Sequence, residues 1–157
     1  MLSCWVNSFV MGYMKTVKSE QLGLSIGEVF RSWRAKANER LLPLGLSQAK
    51  WRAMFYLSLR PDGIIQKELA SLISIEGPTL VRLLDRLELD GWVKRKNSKQ
   101  DRRCKTVHLT EKAQPTITEI RKVVAQLRQE IFFDVTDEDM ETSLRVMRHI
   151  KKRIDSL

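Results

Sequence analysis

From Ser19 to Leu42, apolar residues recur at Leu22, Ile26, Val29, Trp33 and Ala37, with Leu41 following. That spacing predicts one face of a long helix, ended by Pro43 and Gly45. Ser47 can cap a second helix through Trp51, Met54, Phe55, Leu57 and Ser58, and Arg60-Pro61-Asp62-Gly63 marks a turn. A short helix is expected over Ile65–Ile73, broken by Ser74-Ile75-Glu76-Gly77. Pro78 opens the next helix, where its missing N–H costs nothing, and Gly91 stops it after Asp90. Trp92–Arg95 and Lys105–Leu109 alternate roughly and predict two short strands around a polar tip, Lys96 to Cys104. Thr110 is expected to cap a long helix bearing Ile117, Ile120, Val124, Leu127 and Ile131. Pro115 requires that helix to start late or to bend in its first turn. Thr136-Asp137-Glu138-Asp139 begins the last helix, whose stripe is Met140, Leu144, Met147 and Ile154.

Residues 65 to 91 have the spacing of a helix-turn-helix. Leu69, Ala70 and Ile73 form the inner face of the first helix, Ile75 plugs the turn, and Leu80, Leu84 and Leu87 anchor the second. This leaves Thr79, Arg82 and Arg86 facing solvent, with Gly77 and Pro78 at the exposed amino end. Such a face suits the major groove, where Arg82 could grip guanine and Thr79 a thymine methyl or a phosphate. On the helix pair alone, a plain helical hairpin with solvated arginines stays equally open. The strand pair shifts the balance, because a cationic tip contributes little to stability. It suits the minor groove, whose narrowed A·T tracts concentrate negative potential. There Asp101 can hold Arg103 and leave Arg102 to reach DNA.

Charge agrees with a polyanionic partner: 28 Lys and Arg stand against 19 Asp and Glu, a formal net charge of +9. No run is apolar enough to span a bilayer, and the apolar stripes suit a protein core rather than a membrane surface. Two cysteines, Cys4 and Cys104, make no disulfide framework and suit a reducing cytoplasm. Residues 1–14 lack the pattern of a signal peptide and read as an extra extension, with Met14 the expected natural start.

The run Leu69-Ala70, Pro78-Thr79-Leu80-Val81-Arg82-Leu83-Leu84-Asp85-Arg86-Leu87-Glu88, Gly91-Trp92-Val93-Lys94-Arg95, then Asp101-Arg102-Arg103 and Leu109-Thr110-Glu111-Lys112-Ala113, resembles the MarR family of transcriptional regulators. Trp33-Arg34-Ala35, Arg40-Leu41, Pro43-Leu44, Leu46-Ser47-Gln48 and Trp51 are similar to its SlyA branch. The resemblance covers about residues 20 to 155. It implies a mainly α fold with a small β wing: a winged helix-turn-helix over 47–110, between an N-terminal dimerisation helix (19–46) and C-terminal dimerisation helices (111–157). It further implies a homodimer on palindromic, A·T-rich double-stranded DNA, with Pro78, Thr79 and Arg82 in the major groove and Arg102 in the minor. The terminal apolar stripes independently favour a partner chain. Half-sites are expected about 10 bp apart.

Many relatives respond to small aromatic carboxylates, and Arg31, Trp33, Trp51 and Phe55 map near that pocket. Phe55 stands where the branch usually has a histidine, which removes a polar partner; core aromatics beside a surface arginine are the other reading. Cys104 would sit among cations that lower a thiol pKa, or is an incidental thiol. His108 is expected to point outward, and neither it nor His149 has a metal-ligand companion. No nucleophile–base pair points to an enzyme. A nucleoid-associated structural protein with little base readout is the alternative to a sequence-specific regulator.

Overall fold

The computed structural model describes residues 2–97 and 105–157, with side chains from Thr16 onward. Helix α1 runs Leu2–Leu41, starting well upstream of the expected Ser19. A 3₁₀ turn at Leu42–Leu44 follows, and Gly45 at φ 69° reverses the chain in a left-handed conformation that suits glycine. Helix α2, Gln48–Ser58, is capped as expected: the Ser47 side chain accepts from the Lys50 amide.

Ile64–Ile65 form a short strand, β1, ahead of helix α3 (Gln66–Ile73) and helix α4 (Gly77–Leu89). Strands β2 (Val93–Asn97) and β3 (Lys105–Leu109) make the hairpin, and helices α5 (Gln114–Ile131) and α6 (Asp137–Ile154) complete the chain. The fold is mainly helical with a small antiparallel sheet in the order β1-β3-β2. Strand β1 was not expected from the sequence. Its Ile64 pairs with Val107 and Ile65 with Thr106, so the residue expected to start α3 belongs to the sheet.

Thr110 does not cap α5. Its hydroxyl bonds the Gly91 carbonyl at 2.6 Å and ties the end of β3 to the end of α4. A 3₁₀ turn, Glu111–Ala113, intervenes, and α5 begins only at Gln114. Pro115 therefore falls in the first turn, where no amide is missed.

One core joins Ala37 and Leu41 of α1, Met54 and Leu57 of α2, Leu69 and Ile73 of α3, Leu80, Leu83, Leu84 and Leu87 of α4, Val93 and Val107 of the hairpin, and Ile120 and Leu127 of α5. Helix α6 stands apart from it. Thr136 caps its start as expected, yet none of its residues is buried. No helix among the described residues is long and apolar enough to cross a membrane.

Candidate nucleic-acid interface

Helix α3 ends in a left-handed residue. Ser74 sits at φ 54° and ψ 53°, with its amide donating to the Ser71 carbonyl at 3.1 Å and the Ile75 amide to Ala70 at 3.1 Å. This is a helix C-terminal motif that usually employs glycine, here carried by a serine. Ile75 packs half-buried against the core, which fixes the angle at which the chain enters α4.

Helix α4 opens at Gly77 and Pro78 and buries Leu80, Leu83, Leu84 and Leu87. Pro78, Thr79, Arg82 and Arg86 are all exposed. The far end closes with Gly91 at φ 75°, its amide bonding Glu88, while the Trp92 amide bonds Leu87. The helix is thus fixed at both ends and along its inner face.

A clamp that was not foreseen joins α4 to the hairpin. The Arg95 guanidinium on β2 reaches Asp85 Oδ1 at 2.7 Å and Glu88 Oε2 at 2.5 Å, and the Arg95 amide donates to Glu88 Oε1 at 3.0 Å. The side-chain bond from Arg95, then its amide, hold Glu88 below its ordinary carboxylate pKa; Glu88 in turn raises that of Arg95. A hairpin held this way cannot swing independently of the helix before it. Lys94, Lys96 and Lys105 lie exposed on the described strands. Asp101, Arg102, Arg103 and Cys104 fall outside the described residues.

His108 is turned further inward than expected. Its ring lies against Gly63, where an added Cβ would stand 2.5 Å from it, and its Nε2 is 2.9 Å from the Thr106 hydroxyl. Burial first, then the charges of Lys96 and Lys94, lower its pKa, against an opposing pull from Asp62.

A cavity of about 300 Å³ opens between α1, α2 and α5. Trp33, Trp51 and Phe55 line it, as do Arg34, Arg52 and Arg128. Arg31 does not; it is exposed, with Nη1 beside Gly27. Arg52 is 5% exposed and donates to the Ile73 carbonyl at 2.7 Å and the Leu72 carbonyl at 3.3 Å. Among the described residues no group of three or more His, Cys, Asp or Glu could hold a metal ion.

The MarR family model matches residues 46–105, the stretch holding the helix-turn-helix and hairpin. The transcriptional regulator PA3341 superposes with a TM-score of 0.81 at 35% identity, over 87% of this chain and 99% of that one. A MarR-family regulator from Silicibacter pomeroyi matches at 26% identity and TM-score 0.72, over 82% of this chain and 86% of that one. Apo MarR from E. coli matches at 28% identity and TM-score 0.65, over 82% and 95%. With its winged helix fold, its outward arginines and these likenesses, the chain belongs to the MarR family of transcriptional regulators.

Proposed function

We propose that this chain binds double-stranded DNA sequence-specifically as a homodimer, with α4 in the major groove and the hairpin in the minor. One observation carries the reading: α4 turns four leucines inward and leaves Pro78, Thr79, Arg82 and Arg86 exposed. An α-helix fits the major groove, and an arginine on its outer side can bond both acceptors of a guanine edge. Arg82 takes that role, Thr79 meets a thymine methyl or phosphate, and Pro78 and Arg86 flank them. At the hairpin tip Arg102 enters the minor groove while Asp101 steadies Arg103.

MarR-family regulators bind DNA and are generally dimeric. The exposed apolar residues of α1 and α6, Val29, Phe30, Leu144 and Ile154 among them, support the same assembly here. Two half-sites about 10 bp apart in an A·T-rich palindrome then match the protein's two-fold axis. The cavity walled by Trp33, Trp51 and Phe55 is the place for a small aromatic carboxylate. Arg31 lies outside that wall.

Selection from random-sequence duplexes supplies the site, and the ratio of specific to non-specific affinity at fixed salt tests the reading. A ratio near one would assign a structural, nucleoid-type role instead. On the selected duplex Arg82→Ala should cost roughly 1–3 kcal/mol and relax base preference at one position. Arg102→Ala should reduce the salt dependence by about one ion per hairpin. Unchanged affinity and preference in Arg82→Ala would remove α4 from the groove.

A further inference from the structure

Among the described residues Arg52 is the one charged side chain that is buried, at 5% exposure. It lies on α2 between Trp51 and Ala53, both part of the core, and no carboxylate of the described residues pairs with it. Taking a guanidinium out of water without a counter-ion is costly, and an apolar side chain of similar length would fill the space without that penalty. Burial first, and after it the nearby charge of Arg34, lower the Arg52 pKa, while Tyr56 acts in the opposite direction. What the cation adds must therefore lie in its hydrogen bonds.

Its Nη1 donates to the Ile73 carbonyl at 2.7 Å and its Nη2 to the Leu72 carbonyl at 3.3 Å. These are the last two carbonyls of α3, and the amides of the turn beyond them go elsewhere, Ser74 to Ser71 and Ile75 to Ala70. A helix end leaves such carbonyls over, and burying them without a donor is unfavourable. A cation there also meets the partial negative charge of the helix C-terminus. Because the guanidinium is planar and its donors form a fixed fork, a grip on adjacent carbonyls sets how the last turn of α3 lies against α2. Directly after Ile73 come left-handed Ser74, half-buried Ile75 and Glu76, and then the exposed Gly77, Pro78 and Thr79 that open α4. A non-glycine residue at positive φ persists only while its surroundings hold it there.

We infer that Arg52 is a positioning residue for base readout: by holding the carbonyls of Leu72 and Ile73 it sets the angle at which the turn delivers Pro78, Thr79 and Arg82 to the major groove. The inference rests on the reading of α4 as the recognition helix, and adds a buried residue of another helix on which the accuracy of that reading depends. Base contacts tolerate an error of only about 0.5 Å in the groups that make them. Contacts to phosphate carry the sequence-independent part of the affinity, and exposed cations such as Lys94, Lys96 and Lys105 supply that part whatever the pitch of α4. Loosening the turn therefore costs specific affinity and leaves non-specific affinity in place.

Affinities for the selected duplex and for a scrambled one, at a single salt concentration and equal amounts of folded protein, provide the test. Arg52→Met should bind the selected duplex about tenfold more weakly, with its affinity for the scrambled duplex and its salt dependence unchanged. Arg52→Lys, which keeps the charge but not the fork, should recover part of the loss. Equal losses on both duplexes would assign Arg52 to stability alone, and no loss on either would separate it from α4. Each of these overturns the inference and leaves α4 in the groove, whereas a wild-type ratio of specific to non-specific affinity near one overturns both. If Arg52→Met fails to fold, Arg52→Lys decides: it should lower that ratio and speed hydrogen exchange at the Ser74 and Ile75 amides, and a wild-type value of either overturns the inference.

Discussion

Helices α4 and α6 each carry one apolar stripe and one charged side, yet α4 buries Leu80, Leu83, Leu84 and Leu87 while α6 buries nothing. On α4 the stripe meets α2, α3 and strand β2 of its own chain. On α6 Leu144 stays 51% exposed and Ile154 60%. Amphipathicity therefore gives a helix a face to hide but does not say what hides it. Full burial of one leucine contributes about 1.5–3 kcal/mol, a gain that α6 forgoes until another surface covers it. The first helix is covered by its own chain; the second keeps its stripe uncovered within it.

The difference can be pressed from both ends. Leu84→Ala, at a position with no exposure, should destabilise the fold by about 2–5 kcal/mol in urea unfolding. A cost under about 1 kcal/mol would mean that the inner face of α4 is not core. Leu144→Asp should leave the α4 region intact and weaken self-association about tenfold or more, read by sedimentation across a concentration series. An unchanged association constant would separate α6 from the proposed dimer. Ser74→Gly, at the entrance to α4, should stabilise by up to about 1 kcal/mol, because glycine adopts the left-handed conformation without a Cβ penalty. A lower melting temperature would show that the serine is held there by more than backbone sterics.

The smallest effect concerns the base of the hairpin. The folded pKa of His108 lies below its ordinary 6.5, so the unfolded chain takes up its proton first as pH falls. The contribution of His108 is therefore whole above pH 6.5 and declines below it, until pH reaches the lowered folded value. Melting temperatures on either side of that pH should differ less in His108→Gln than in the wild type. An equal difference in both proteins would place the acid sensitivity elsewhere.

What the residues announced and what they withheld follow physical lines. The inward Leu80, Leu84 and Leu87 of α4 and the outward Thr79, Arg82 and Arg86 were legible because a 3.6-residue period fixes both faces at once, while the burial of Leu83 went unread. Strand β1 was not, since Ile64 and Ile65 are too few to show alternation and exist as a strand only through Val107 and Thr106. Thr110 looked like a cap because threonine before Glu111 often is one; its hydroxyl instead found the Gly91 carbonyl across the fold. Arg52 passed unnoticed as one charge in an apolar stretch, although it falls one turn before Tyr56 on the inner side of α2. Arg95 gave no sign either, because its partners, Asp85 and Glu88, are recognisable only once β2 is laid beside α4. Local periods show in a sequence; pairings across the chain do not.

The grip of Arg95 on two carboxylates also bears on how salt should act on the bound state. A cation committed to Asp85 and Glu88 displaces no counterion from a phosphate, and the three groups together keep one net negative charge. The number of ions released on association will thus fall short of a simple tally of lysines and arginines along the hairpin. The shortfall is the signature of a basic surface that has neutralised some of its own charge to keep its shape.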